Sequence, residues 1–347
     1  MKNCILFVFF LIAFSACNVH KPVLNVPSQE RTKNENRKEY AIAIHGGAGV
    51  ILKENLTPTQ EKAYRSSLDT ALRVGEAMLR AGRSAVDVVE AVVVILEDNP
   101  LFNAGKGAVF TSEGKNELDA SIMDGKDLKA GAVGAVTNLK NPVKAARAVM
   151  EKSPHVLLIG RGAEKFAIEN GLDTVPLEYF FTESRWKSLQ DTRKKDGSSG
   201  SNFVLSENSK FGTVGCVALD KSGNLAAATS TGGMTNKKWG RIGDTPIIGA
   251  GTYAADATCA ISCTGHGEYF IRYGVARSVA DRMELLGESV QKAADFVVLQ
   301  KLVEAGGEGG LIAVDRFGNI AMPHNSPGMY RGFAVPEERK VMIFKGE

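Results

Sequence analysis

The order of apolar segments in this chain predicts an α+β fold in which mainly antiparallel sheets carry helices on their outer faces. Three observations carry that expectation. Short apolar strands come in runs separated by hairpin-length turns, and the helical stretches also come in runs, so strand and helix do not alternate as they do around a parallel sheet. At 347 residues with 44% hydrophobic and 23% charged side chains, the chain also has the means to bury an ordinary core.

Taken in order, residues 1–16 read as a secretory signal: one Lys, an apolar run from Ile5 to Phe14, then Ser15 and Ala16. The run is too short for a membrane span. Cys17 after small residues resembles a bacterial lipoprotein signal, in which that cysteine carries the lipid. Phe14 departs from the usual Leu of the pattern, and simple cleavage near Ala16 is the alternative. Residues 17–38 are polar, with Pro22, Pro27 and RTKNENRK, and read as a disordered tether. Glu39 to His45 alternates as a strand that ends at the turn Gly46-Gly47-Ala48-Gly49.

Helices are expected over 58–81 and from Ser84, where Asp87 three residues on completes an N-cap pattern. The second of these is expected to be buried through Val88, Val89, Val92, Val93 and Leu96. A strand at 131–136 precedes a helix opened by Asn141-Pro142, and a strand at 155–159 precedes a helix at 162–170. Residues 171–212 are charged and Ser/Gly-rich and read as a long exposed loop, which needs a function such as processing. Strands follow at 213–220, 224–230, 249–254 and 259–264, then helices at 267–284 and 288–304, then strands near 310–315, 318–322, 330–334 and 340–344.

The unusual segment is 212–244. A hairpin returns its second strand beside its first, so Thr213 comes close to Thr229-Ser230-Thr231-Gly232-Gly233. A Thr hydroxyl needs an adjacent base to act as a nucleophile. The residue's own α-amine, with an ordinary pKa of about 7.7–8.0, is such a base near neutrality. That amine exists only if the chain is cut between Gly212 and Thr213.

HGGAG (45–49), LFNAGKGAVFT (101–111), ELDASIMDG (117–125), GTVG (212–215), ATSTGG (228–233), GRIGDTPIIGAGTYA (240–254) and CTGHGE (263–268) stand in one order along the chain. In that order they resemble the motifs of plant-type L-asparaginases/isoaspartyl peptidases, from about residue 40 to the C-terminus. The resemblance implies an N-terminal-nucleophile hydrolase with a four-layer αββα sandwich. It implies two mainly antiparallel sheets flanked by helices, and scission of Gly212–Thr213 into an α chain (39–212) and a β chain (213–347), with 171–212 as the processing loop. Thr213 then attacks the side-chain carbonyl of asparagine or the isoaspartyl carbonyl of a β-aspartyl dipeptide.

Carried over by position, Thr231 supports the nucleophile's hydroxyl, Asn103 orients the free amine, and Thr264 with Gly265 forms the oxyanion hole. Arg241 clamps the substrate α-carboxylate, while Asp244 and the backbone of Gly267 receive its α-ammonium. The resemblance further implies no required cofactor, a structural sodium ion held by the main-chain carbonyls of Leu96, Glu97, Asn99, Phe102, Ala104 and Lys106, and a dimer of αβ units. Glycosylasparaginase shares nucleophile and receptor and is the nearest alternative, although the GTVG context favours the asparaginase branch. An unprocessed, lipid-anchored binding protein is the alternative from another class.

Several readings are set aside. A net charge of +3 with no clustered Lys or Arg argues against nucleic acid and for a small-molecule or dipeptide substrate. Arg241-x-x-Asp244 in isolation is most often a surface salt bridge, and only its surrounding motifs reverse that. HGGAG lacks the Lys-Ser/Thr of a P-loop, and no His/Cys/Asp spacing suggests zinc. His45 reads as structural at a strand end, and His266 as packing. Cys216, Cys259 and Cys263 read as small buried hydrophobes instead of a disulfide framework. The leader places the protein across the inner membrane of a bacterium, periplasmic or lipid-anchored, with membrane attachment through Cys17.

Overall fold

The computed structural model describes residues 37–198 and 212–347, and Asn36–Glu347 form one compact unit. The signal at 1–16, the tether up to residue 36 and the end of the expected processing loop, 199–211, lie outside the described residues. The strands are β1 (Ala41–Gly49), β2 (Leu118–Asp124), β3 (Ala130–Val136), β4 (Leu157–Ile159), β5 (Val214–Leu219) and β6 (Leu225–Thr231). They continue with β7 (Thr252–Ala254), β8 (Cys259–Gly265), β9 (Gly309–Asp315), β10 (Ile320–Ala321), β11 (Gly328–Val335) and β12 (Glu338–Phe344). Among the described residues they form an eight-stranded sheet, β12-β11-β1-β5-β6-β2-β3-β4, and a four-stranded one, β10-β9-β8-β7. All pairings are antiparallel except β3 with β4.

Side-chain alternation explains how β1 serves two cores at once. Ile42 and Ile44 join one apolar cluster with Leu68, Leu72, Val88 and Val92. Those partners come from helices α1 (Pro58–Arg80) and α2 (Ala85–Glu97). Ala41 and Ala43 face the other way, into a cluster with Ile261, Ile312 and Val314 of the small sheet. The small alanines there let the two sheets approach. The fold is thus mixed α+β, with two sheets and helices packed upon them.

Both helix starts follow the expected chemistry. Thr57 and Gln60 form a reciprocal capping box, and the Ser84 hydroxyl accepts the Asp87 N–H at 3.2 Å. After α3 (Pro142–Lys152) and α4 (Gly160–Glu169) comes α5 (Glu183–Ser198), where a loop was expected. Its polar sequence hides two apolar anchors: Leu189 is buried, and the Trp186 ring lies 5.2 Å from Phe110. The expected helix over 267–284 is broken into α6 (Gly267–Tyr273) and α7 (Val275–Leu286) by Gly274, at φ +52°. The last helical stretch runs through α8 (Val290–Asp295), a π-turn (Phe296–Lys301) and α9 (Leu302–Ala305).

Three further differences have local causes. β1 does not stop at His45 but continues through Gly49 past a bulge between His45 and Gly47. β2 was not expected as a strand; it fills the place between β3 and β6. Asn141 does not cap its helix with its side chain, which donates instead to Asp98 Oδ1 at 3.1 Å. Among the described residues, no helix is long and apolar enough to cross a membrane.

Candidate active site

Thr213 sits at the entrance of β5, with β1 on one side and β6 on the other, so its surroundings are set by backbone register. Pairing of Val214 with Ser230 brings Thr231 beside Thr213, as the hairpin argument expected. The Thr213 hydroxyl donates to Thr231 Oγ1 at 3.1 Å, and Thr231 in turn donates to the Gly212 carbonyl at 3.1 Å. Gly233 N–H donates to Thr231 Oγ1 at 3.0 Å, which fixes the direction of that relay. Asn103 Nδ2 donates to the carbonyls of Gly212 and Gly233, both at 2.7 Å, while its Oδ1 accepts the Val109 N–H at 2.9 Å. The carbonyl ahead of Thr213 is therefore polarised by two donors on the uncut chain. Gly212 is required by space: a Cβ there would lie 2.7 Å from Asn103 Cβ.

His45 is buried on the other side of Thr213. Its Nδ1 donates to the Thr213 carbonyl at 2.9 Å, so Nε2 is the acceptor and takes the Ser262 hydroxyl at 2.9 Å. Burial pushes the imidazole down to about 3, which keeps it neutral. From Ser262 a ladder of buried hydroxyls continues through Thr229 (2.7 Å), Thr252 (2.5 Å) and Ser121 (2.7 Å) to the Thr245 carbonyl (2.6 Å). One end of this ladder fixes the backbone of Thr213; the other fixes the residue after Asp244.

Thr264 and Gly265 close β8, and of the two only Gly265 lines the cleft at Thr213. Thr264 Oγ1 accepts the Ala48 N–H at 3.3 Å, which leaves its O–H free to point elsewhere. Gly265 lines one cleft with Thr213, Thr231, Arg241 and Asp244. A side chain at Gly267 would crowd the same groups, because a Cβ would lie 2.8 Å from Arg241 Nη2 and 3.0 Å from Asp244 Oδ1. The structure thus brings Thr213, Thr231, Gly265, Arg241 and Asp244 around one small space, with Gly267 against Arg241 and Asp244, while Asn103 reaches the Gly212 and Gly233 carbonyls from beside it.

The charges of that space are uneven. Arg241 forms a bidentate pair with Glu268, Nε–Oε1 and Nη2–Oε2 both at 2.9 Å. Asp244 is buried, and its Oδ2 has no hydrogen-bond partner. Burial pushes its carboxyl up to about 7, and the nearby Arg241 offsets only part of that. Burial also raises Glu268, but the Arg241 guanidinium outweighs it and holds that carboxyl below its usual range. Glu268 was missed as a site residue, although it closes the quoted CTGHGE motif; so was Lys237, whose buried ammonium donates to the Glu117 carbonyl at 3.0 Å.

His266 packs edge-to-face on Tyr269 with centroids 4.7 Å apart, and its Nε2 is 3.4 Å from Glu268 Oε2. Among the described residues, no group of three or more His, Cys, Asp or Glu side chains is placed to hold a metal ion. The loop after α2 winds tightly upon itself. A Cβ at Gly107 would lie 2.7 Å from the Pro100 carbonyl, and Gly105, at φ +48°, backs onto Glu97. The Asn99 and Ala104 carbonyls accept the N–H groups of Phe102 and Gly107 at 3.3 and 3.1 Å.

The asparaginase family matches residues 38–343 of the chain. The chain is 53% identical over 294 residues to the isoaspartyl peptidase of Escherichia coli (strain K12), covering 84% of this chain and 92% of the relative. Against the putative isoaspartyl peptidase/L-asparaginase of Dictyostelium discoideum it is 46% identical over 329 residues, covering 86% and 94%. Against the isoaspartyl peptidase/L-asparaginase of Homo sapiens it is 44% identical over 289 residues, covering 83% and 91%.

These likenesses correct the expected location. Placement in the periplasm or on a lipid anchor is overturned by a match to isoaspartyl peptidases shared across bacteria and eukaryotes. That placement rested on residues 1–16 and Cys17 alone, which lie outside both the family match and the described residues. In the folded body Cys216, Cys259 and Cys263 are buried free thiols, in keeping with their reading as small buried hydrophobes.

Proposed function

We infer from this site that the chain, which belongs to the asparaginase family, cuts itself before Thr213 and then works through that threonine. It hydrolyses L-asparagine to aspartate and ammonia and cleaves isoaspartyl dipeptides. The observation that carries the self-cutting is the Gly212 carbonyl held by both Asn103 and Thr231, with the Thr213 hydroxyl already bonded to Thr231. The other groups follow from their positions.

In the first reaction Thr213 Oγ1 attacks the Gly212 carbonyl carbon, and Asn103 Nδ2 and Thr231 stabilise the charge on the carbonyl oxygen. The C–N bond breaks, the nitrogen takes a proton, and an ester joins Gly212 to Thr213 Oγ1. Water opens the ester, leaving a carboxylate on Gly212 and an α-amine on Thr213. The products are an α chain ending at Gly212 and a β chain beginning at Thr213.

In the second reaction the freed amine takes the hydroxyl proton as Thr213 attacks the substrate's side-chain carbonyl. The oxyanion falls to the Thr264 hydroxyl and the Gly265 N–H, donors worth about 2.7–4 kcal/mol each in comparable sites. Ammonia or the amine of the second amino acid leaves with that proton. Water releases aspartate and restores Thr213. The substrate carboxylate is bound by Arg241, whose guanidinium Glu268 holds in the empty site. Its ammonium is bound by Asp244, whose unpartnered oxygen supports that role, with the Gly267 backbone alongside. A receptor for one charge of each sign explains why an internal peptide bond is a poor substrate.

Every group these steps call for comes from the chain, so no cofactor is required. A structural sodium ion held by the carbonyls of Leu96, Glu97, Asn99, Phe102, Ala104 and Lys106 would brace the loop that presents Asn103. The apolar clusters on both faces of the large sheet support a four-layer αββα sandwich. Exposed Leu285, Leu286, Leu299 and Val303 on the last helices give apolar surface for pairing two αβ units. Glycosylasparaginase is not favoured, because the relatives described above are named isoaspartyl peptidases or isoaspartyl peptidase/L-asparaginases. A catalytically dead binding protein is disfavoured because no position of the site is vacant.

The test is Thr213→Ala. The variant is expected to stay a single chain on a denaturing gel and to release neither ammonia from asparagine nor leucine from β-aspartyl-leucine. A normally processed variant would refute the assignment.

A further inference from the structure

Two cavities meet at Gly212. One is the narrow cleft with Arg241, Asp244 and Gly265; the other, of about 380 Å³, is lined by Asn103, Tyr64, Tyr330, Gln60, Leu101 and Arg185. Gly212 lines both, so departure of its carbonyl from Thr213 joins them across the nucleophile. A substrate whose aspartyl end fills the cleft must send its leaving group away from Arg241 and Asp244, and the larger cavity is the space on that side.

Arg185 sets the chemistry of this cavity. Its Nε donates to the Gly107 carbonyl at 2.9 Å and its Nη2 to the Leu101 carbonyl at 3.3 Å. No carboxylate lies within ion-pair distance among the described residues, and its Nη1 has no acceptor among them. Burial accordingly pulls the guanidinium below its usual range, with only the hydroxyls of Tyr64 and Tyr330 opposing. A half-buried cation held by two carbonyls from the loop that carries Asn103, and otherwise unneutralised, gains from an anion that completes it. Around it, Ile51, Leu52, Leu56 and the two tyrosine rings offer apolar wall.

Resting on the isoaspartyl-peptidase reading, we propose that this cavity is a leaving-group subsite in which Arg185 binds the C-terminal α-carboxylate of a β-aspartyl dipeptide and the apolar wall takes its side chain. The subsite selects β-aspartyl dipeptides with a free carboxylate and an apolar second residue. Asparagine, whose leaving group is ammonia, makes no use of it. Arg185 bonds the substrate without touching the reacting atoms, so its effect is on specificity. A carboxylate has a second source here, the one freed on Gly212 by self-cleavage, and the test separates the two.

The measurement is the ratio of kcat/KM for β-aspartyl-leucine to that for β-aspartyl-leucinamide, taken within each protein so that a general loss of activity cancels. Wild-type protein is expected to favour the free acid by about tenfold, the size of a charge-assisted hydrogen bond. Arg185→Met should bring the ratio to about one, and Arg185→Lys should restore part of it. Equal rates for acid and amide in the wild type would overturn the proposal, and would be the result if the Gly212 carboxylate were the partner of Arg185. A wild-type preference that survives in Arg185→Met would overturn it as well. The wild-type comparison stands even if a variant fails to fold. Loss of turnover on both dipeptides by processed wild-type protein would instead refute the isoaspartyl-peptidase reading.

Discussion

At the scale of single residues, the two charges that would receive the substrate are set up differently from one another. Arg241 spends its fork on Glu268, and Asp244 is buried with one oxygen unpaired and its carboxyl raised to about 7. The sign of the pH effect follows. A raised carboxyl pKa means that below about 7 the empty site holds neutral Asp244, which cannot pair with an ammonium. Acid should therefore lower kcat/KM for asparagine through Asp244 below about 7, in addition to the fall as the Thr213 α-amine protonates through its ordinary range of about 7.7–8.0, so the limb steepens from about tenfold to about a hundredfold per pH unit as both groups protonate; a stopped assay across pH 5–9 reads the two bends. In the bound complex the substrate ammonium favours the carboxylate, so kcat should bend at lower pH than kcat/KM. Arg241→Ala should raise KM for asparagine by about 10- to 100-fold, the loss of a charge-assisted fork, and leave self-cleavage intact because that cut needs no zwitterion. Steady-state kinetics beside a denaturing gel checks both halves.

Secondary-structure elements carry the site by register more than by local shape. The hairpin of β5 and β6 places Thr231 against Thr213, and this was legible because the tight turn at Lys221-Ser222-Gly223-Asn224 leaves the returning strand one course. The starts of α1 and α2 were legible for the same kind of reason, a hydroxyl three residues from its partner. What escaped depends on neighbours distant in sequence. α5 has a polar sequence and is held by buried Leu189 and by Trp186 and Arg185, whose partners lie on the loop after α2. β2 is a strand because β3 and β6 flank it, and its Asp119 is buried against Lys237 at 4.0 Å, a pairing that no spacing announces. The role of His45 was readable only as a strand-end residue. Its actual work, donating to the Thr213 carbonyl while Ser262 donates to it, joins three strands that lie far apart in the chain. Ser262→Ala should remove the donor to His45 Nε2 and cost about 1–3 kcal/mol, the penalty for an unmet buried acceptor, read from chemical denaturation.

On the scale of the whole molecule, the cut falls in a chain whose halves are interleaved. In the large sheet β1 lies between β11 and β5, and β6 lies beside β2, so residues before and after Gly212 alternate along the hydrogen-bonded order. Separating the two products would require unzipping β1 from both neighbours and β2 from β6. The α and β chains should therefore elute together from a native sizing column and part only in denaturant; separation under native conditions would contradict the strand order. The cut consequently changes little in the sheet while changing the chemistry of one nitrogen. The most direct measurement follows the fraction of chains cut, by intact mass spectrometry, against the rate of β-aspartyl-leucine hydrolysis in the same samples during maturation. The rate should rise in proportion to the cut fraction from zero at zero; full activity from uncut chains would contradict the central claim that Thr213 works with its own freed amine.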